Sequence, residues 1–214
     1  MNVLVVMEFR DKHKQLMQES FPDVKFVFDR QPKESDVKAA DVIIGNIKPY
    51  LLQQAENLKW LQLNSAGTDG YCREGIMPKD AVLTNATGAY GLALSEYMLA
   101  VLMAMQKKLY RYHDNQKSNQ WHDEGEVTSV FNSYAIVVGL GDIGSCFAKR
   151  LKALGAAHVV GVKRRLGKKP DYLDDLISLE QLDRYLPKAD IVASVLPGTA
   201  ATTHIFNADK FSKM

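Results

Sequence analysis

One stretch constrains this chain more than any other: Ala135-Ile-Val-Val-Gly139-Leu-Gly141-Asp-Ile-Gly144-Ser-Cys-Phe-Ala-Lys-Arg-Leu-Lys-Ala-Leu-Gly155. It opens with a short apolar, β-branched run that reads as a buried strand. A glycine-rich turn follows, then a helical pattern with Phe147, Leu151 and Leu154 on one face and Gly155 at the expected C-cap. In that order each glycine has a separate use. Gly139 turns the chain off the strand, Gly141 lets backbone approach a pyrophosphate, and Gly144 lets the helix pack close to the strand. The unpaired N–H groups and the positive end of the helix dipole then face the phosphates. Such a turn also occurs as a plain βα connection, but the strand before it and the helix after it favour a dinucleotide site.

Bulk properties exclude several classes of function. The 214 residues suffice for one large domain or two small ones, and 46% hydrophobic with 24% charged residues is ordinary for a globular chain. A net charge of +2, with no basic block longer than Lys163-Arg164-Arg165, gives no case for a nucleic-acid partner. The apolar start Val3–Met7 is too short for a signal peptide and reads as a strand, and no run reaches membrane-spanning length. Two cysteines, Cys72 and Cys146, lie far apart, which suits a reducing compartment; the expected setting is cytoplasmic, without membrane.

The chain then alternates strand and helix. Strands are predicted at 2–7, 24–28, 41–45, 60–63 and 81–84, with helices at 11–20, 34–39 and near 50–55, a rhythm that builds a parallel sheet covered on both faces. From Leu92 to Lys117 a single long helix is predicted, with Leu94, Met98, Val101, Leu102 and Met105 on a packed face. A polar segment, 118–133, carries Trp121 and His122 close after His113; their spacing matches no metal site, and none is assigned. The second unit repeats the rhythm: strand 135–138, the glycine turn and helix, strand 158–162, a polar loop from Lys163 to Tyr172, a helix near 179–186 capped by Ser178, strand 190–196, and a final helix from about Phe206.

Taken together, Asn64-Ser-Ala-Gly-Thr-Asp69, Gly88 and Glu96, Val138-Gly-Leu-Gly-Asp-Ile-Gly144, Asp190 through Leu196-Pro197, and Thr202-Thr-His204 resemble the D-isomer-specific 2-hydroxyacid dehydrogenases. The likeness runs along nearly the whole chain. It implies an α/β protein: a flavodoxin-like substrate domain (1–92), a long linking helix and connection (93–133), and an incomplete Rossmann domain (134–214) with parallel sheets. The active site would lie in the cleft between the domains. The resemblance places the backbone amides of Ala66 and Gly67 on the substrate carboxylate, which suits a main-chain anion nest. It places Gly139, Gly141, Asp142, Ile143 and Gly144 along the pyrophosphate, Leu196 and Pro197 at the cofactor cleft, and Thr202 as a weaker phosphate or ribose contact. Asn46, Ile47 and Tyr90 are candidates for the substrate pocket.

Two departures stand out. An acid about 20 residues past a glycine motif ordinarily accepts the adenosine ribose hydroxyls, whereas here the strand ends in Lys163-Arg164-Arg165. These cations would attract a 2′-phosphate, and Arg164 or Arg165 would bind it bidentately, so NADP(H) is preferred, with NAD(H) the alternative. The second departure is that the family's catalytic Arg, Glu and His are expected beyond Met214. None of the five histidines, His13, His113, His122, His158 and His204, replaces them, so the chain reads as truncated, without catalytic residues of its own. A sheet ending there would expose an apolar edge, from which a homodimer through the long helix and Trp121 is expected. The sequence thus points to reduction of a small 2-keto acid to a D-2-hydroxy acid. The alternative is a catalytically silent NADP(H)-binding or interaction protein of the same fold.

Overall fold

Short β-branched runs separated by helical stretches favour parallel strands joined by crossovers. The computed structural model, which describes all 214 residues, has this arrangement twice, in the units Met1–Ala89 and Tyr90–Met214. In the first unit β1 (Asn2–Val5), β2 (Lys25–Phe28), β3 (Val42–Ile44), β4 (Trp60–Gln62) and β5 (Val82–Thr84) form a sheet in the order β2-β1-β3-β4-β5. Every pair is parallel. Helix α2 (Glu34–Ala39) and a 3-10 segment, Pro49–Gln54, bury Val37, Ala40, Leu52 and Ala55 against Leu4, Ile43 and Leu61. Met17 of α1 (Asp11–Ser20) packs against Val3, Val5 and Val42.

In the second unit β6 (Tyr134–Val138), β7 (His158–Val162), β8 (Asp175–Ile177) and β9 (Ile191–Ser194) pair in parallel in the order β8-β7-β6-β9. Four consecutive residues of β6, Ala135 to Val138, are completely buried, as expected of a central strand covered on both faces. One device recurs in both units. Just before the strand on the far side of the switch, an aspartate takes the first N–H of the unit's first strand: Asp41 accepts from Asn2 at 2.8 Å, and Asp190 accepts from Tyr134 at 2.7 Å. The N-terminal edge of a parallel sheet leaves that N–H without a strand partner, and the carboxylate supplies one.

Several sequence expectations are corrected here. The single helix from Leu92 to Lys117 is two, α3 (Gly91–Gln106) and α4 (Leu109–Lys117). They are separated at Lys108, whose φ of 54° is left-handed. That unfavourable backbone is held by tertiary bonds: Lys107 Nζ donates to the Thr128 carbonyl at 2.7 Å and Lys108 Nζ to the Glu124 carbonyl at 2.5 Å. The packed face of α3 is also shifted. Met98, Leu99 and Leu102 join the core beneath α5 (Asp142–Ala153), whereas Leu94, Val101 and Met105 are exposed. This packing of α3 on α5 lies within the unit Tyr90–Met214. On α5 the buried set is Gly144, Phe147, Ala148 and Leu151, and Leu154, at the C-cap, is partly exposed. Strand β8 was not expected, and the segments near 50–55 and 179–186 are 3-10 helices, Pro49–Gln54 and Leu179–Arg184. Gln181 accepts the Ser178 N–H at 3.0 Å, so the cap expected at Ser178 closes this short helix.

Candidate functional site

Open parallel sheets bind ligands at the carboxyl ends of their strands, where the strand order reverses. In the second unit that point lies between β6 and β9, and the sequence puts the glycine turn there. Gly139 has φ of 102°, and a Cβ on it would lie 2.6 Å from the Val195 carbonyl oxygen, so no other residue fits without distortion. A Cβ on Gly144 would lie 1.9 Å from the Gly139 carbonyl oxygen, which brings the start of α5 hard against the end of β6. On the Gly141 side a Cβ would meet nothing within 4 Å. The helix start therefore faces open space with Asp142, Ile143 and Gly144 in its first turn, the geometry an anion needs. A pyrophosphate fits this cradle by its backbone donors.

The loop after β9 forms the other wall. Val195 donates to the Val138 carbonyl at 2.8 Å, which places Leu196 and Pro197 beside the glycine turn. Leu196, Pro197 and Thr202 line one cavity of about 350 Å³ together with His204 and Phe206. The Thr202 hydroxyl is already engaged. It donates to the Pro197 carbonyl at 2.5 Å and receives the Thr199 N–H at 2.9 Å, so it braces the turn.

The basic end of β7 divides unexpectedly. Lys163 and Arg165 line a cavity of about 200 Å³ with Leu140, Ser145, Lys168 and Tyr172, and Arg164 is not part of its wall. No acidic residue lines it. The side chains of Lys163, Arg165 and Lys168 form no ion pair or hydrogen bond within the chain, so their charge is available to a ligand. Sequence reasoning missed Lys168 and Ser145. Lys168 lay in a loop read only as polar, and Ser145 is brought to the cavity by the first turns of α5.

The first unit carries a separate loop of interest after β4. Asn46, after β3, and Asn64, after β4, lock the two loops together: Asn46 N donates to Asn64 Oδ1 at 2.9 Å and Asn64 N to Asn46 Oδ1 at 3.1 Å. Beyond this clamp the carbonyl of Ala66 accepts from Asn85 Nδ2 at 2.7 Å and that of Gly67 from Ser65 Oγ at 2.9 Å. With their carbonyls tied back, the N–H groups of Ala66 and Gly67 have no acceptor within the chain, and both residues are exposed. Asn85 was missed by sequence reasoning because its bond reaches back 19 residues. Ile47 is corrected. Its side chain is buried in the core and its carbonyl accepts the Tyr71 hydroxyl at 2.7 Å, so it cannot line a pocket. His158 is likewise structural, bonded through Nε2 to Asp175 at 2.9 Å and stacked on Tyr134.

The fold and the second unit's crevice define the class: a parallel α/β protein with a Rossmann-like dinucleotide-binding unit. Comparison with known proteins gives the family. The family model for the D-isomer specific 2-hydroxyacid dehydrogenase NAD binding domain matches residues 99–214, and the chain belongs to this family. It is 26% identical over 175 residues to a D-3-phosphoglycerate dehydrogenase of Synechocystis, covering 77% of this chain and 29% of that one. It is 23% identical over 225 residues to the glyoxylate/hydroxypyruvate reductase B of Shigella dysenteriae, covering all of this chain and 69% of that one. A D-isomer specific 2-hydroxyacid dehydrogenase family protein from Aeromonas salmonicida has a solved structure that superposes with a TM-score of 0.82 at 27% identity. The match covers 98% of this chain and 68% of that one. The chain spans between 29% and 59% of the length of four of the curated relatives it matches, the Synechocystis enzyme among them. No helix is long and apolar enough to cross a membrane.

Proposed function

We propose that this chain binds a nicotinamide adenine dinucleotide, NADP(H) in preference to NAD(H), as part of a D-2-hydroxyacid dehydrogenase that reduces a small 2-keto acid. The observation that carries the reading is the pairing of the glycine cradle, Gly139 to Gly144, with the unpaired cations at the end of β7. Pyrophosphate sits on the helix start, and the 2′-phosphate meets Lys163, Arg165 and Lys168. The exposed N–H groups of Ala66 and Gly67 receive the substrate carboxylate. Leu196 and Pro197 shape the wall of the cofactor crevice, and Thr202 holds the turn that carries them. When bound, the dinucleotide supplies the hydride. The chemistry also calls for a cation at the carbonyl and a proton donor at the developing alkoxide. We assign neither role to a residue of this chain and place both beyond Met214.

The test is a titration of the chain with NADPH and NADH. NADPH is expected to bind at least tenfold more tightly. Replacing Arg165 by Ala should cost NADPH about tenfold, the low end for an exposed charge-assisted hydrogen bond, and leave NADH unchanged. Equal affinities for the two cofactors in the parent would overturn the preference. NADPH oxidation by glyoxylate or hydroxypyruvate with these 214 residues alone would overturn the assignment of the catalytic groups.

The same reading includes a homodimer. Tyr97, Val101 and Met105 form an exposed apolar stripe on α3, and Trp121 is fully exposed in the segment after α4. Such surface is more than a monomer needs to show. The unpaired thiols of Cys72 and Cys146 accord with a reducing, cytoplasmic setting.

A further inference from the structure

Asp142 poses an electrostatic problem at the cradle. It is the first residue of α5, so its backbone belongs to the end of the helix that faces the phosphates, yet its side chain is an acid. A carboxylate within a few ångströms of a pyrophosphate repels it. No cation neutralises this one, because its oxygens form no ion pair or hydrogen bond within the chain. Its position resolves the conflict. A Cβ on Gly91 would lie 2.3 Å from Asp142 Oδ1, 2.7 Å from Cγ and 2.9 Å from Oδ2. The whole carboxylate therefore rests where any other residue would carry its first side-chain carbon. Gly91 is the first residue of α3 and is buried, so the charge also sits at the positive end of a second helix, where it is stabilised.

We propose that Gly91 is the seat of the Asp142 carboxylate, and that this pair positions the acid away from the dinucleotide's pyrophosphate. Asp142 then contributes its backbone to the anion site while α3 holds its charge aside. The inference rests on reading the α5 cradle as a dinucleotide site. A methyl group at Gly91 displaces only the end of a flexible side chain, so Gly91→Ala folds, but it turns the carboxylate out of its seat.

The experiment is a calorimetric titration of the parent, Gly91→Ala, Asp142→Ala and the double variant with NADPH, ADP and 2′-AMP, which lacks a pyrophosphate. Gly91→Ala should weaken NADPH and ADP about tenfold and leave 2′-AMP unchanged. The loss should shrink at high salt, because it is a charge repulsion. Asp142→Ala should bind all three at least as tightly as the parent, and adding it to Gly91→Ala should restore NADPH to within about twofold of Asp142→Ala alone. Asp142→Glu, whose longer side chain overshoots the seat, should reproduce the salt-sensitive loss with Gly91 intact. Parent-like NADPH binding by both Gly91→Ala and Asp142→Glu overturns the proposal, as does a double variant no tighter than Gly91→Ala. A parent that binds neither NADPH nor ADP overturns the dinucleotide reading itself and with it this inference.

Discussion

Gly144→Ala tests the cradle most directly. The added carbon would lie 1.9 Å from the Gly139 carbonyl oxygen, about half the roughly 3.5–4.0 Å at which non-bonded heavy atoms sit best. Both sides of this contact are backbone, so no side-chain rotation relieves it. The start of α5 must retreat by about 2 Å to restore that spacing. Retreat is resisted further along the helix, where Phe147, Ala148 and Leu151 are buried in the core. Overpacking of this kind costs about 1–3 kcal/mol, and with backbone on both sides the upper end, about 3 kcal/mol, is expected. That corresponds to a fall in melting temperature of about 10 °C for a unit of this size. The displaced N–H groups should also lose dinucleotide affinity. Gly141→Ala is the matched control: its Cβ meets nothing within 4 Å and its φ of −79° suits any residue. It should melt within a few degrees of the parent yet bind dinucleotide poorly, since its methyl occupies the space of the phosphates. Thermal melts by circular dichroism and dinucleotide titration read both variants. If Gly144→Ala melts with the parent and binds as tightly, the argument from close approach is wrong.

Further outcomes follow from other parts of the molecule. Ile47→Ala should cost about 3 kcal/mol in chemical denaturation, as a truncation in a tight core does; an unchanged stability would return Ile47 to the list of pocket residues. The Asp41 carboxyl is held below its ordinary value, first by the Asn2 N–H and then by Lys59. The stability it adds is therefore complete above pH 3.8 and is lost as pH falls through the lower folded value. Asp41→Asn should thus be less stable than the parent at neutral pH, with the gap closing in acid; a gap that persists in strong acid refutes the assignment. Sedimentation at micromolar concentration should show a dimer that Tyr97→Asp converts to monomer, and a monomeric parent counts against the dimer.

Periodicity and turn chemistry made much of the fold legible. The β-branched runs of β1, β3, β6, β7 and β9 announced themselves, as did the glycine turn, because a buried parallel strand and a phosphate cradle each demand residues with few substitutes. What was not legible depended on contacts distant in sequence. The break at Lys108 uses no glycine or proline and is held by bonds to the Glu124 and Thr128 carbonyls. Strand β8 is three residues long and exists because β7 offers it an edge: Val160, Gly161 and Val162 pair with Asp175, Leu176 and Ile177. The packed stripe on α3 was misplaced because its apolar residues cover most of the helix circumference, so periodicity alone did not choose a face.

The candidate sites follow a related rule, and it sorts residues that sequence could not. Polar groups that find partners inside the chain hold the fold, and those the fold leaves without partners are free to meet a ligand. Thr202 was a candidate contact in the sequence, whereas His158 and Asp190 were given no role, and each of the three is engaged by a turn, a stack or a strand end. The N–H groups of Ala66 and Gly67 have no internal acceptor, and the reason is visible: Asn85 and Ser65 hold the carbonyls of the same two residues on the other side. The cations at the end of β7 are unpaired as well, and there the criterion needs a second one. Arg164 is as free as Arg165, but Arg165 lines the cavity with Lys163 and Lys168 and Arg164 does not. A free charge becomes a binding group only where the backbone turns it toward a concave surface, so Arg165 and Lys168, rather than Arg164, should carry the discrimination between the two cofactors.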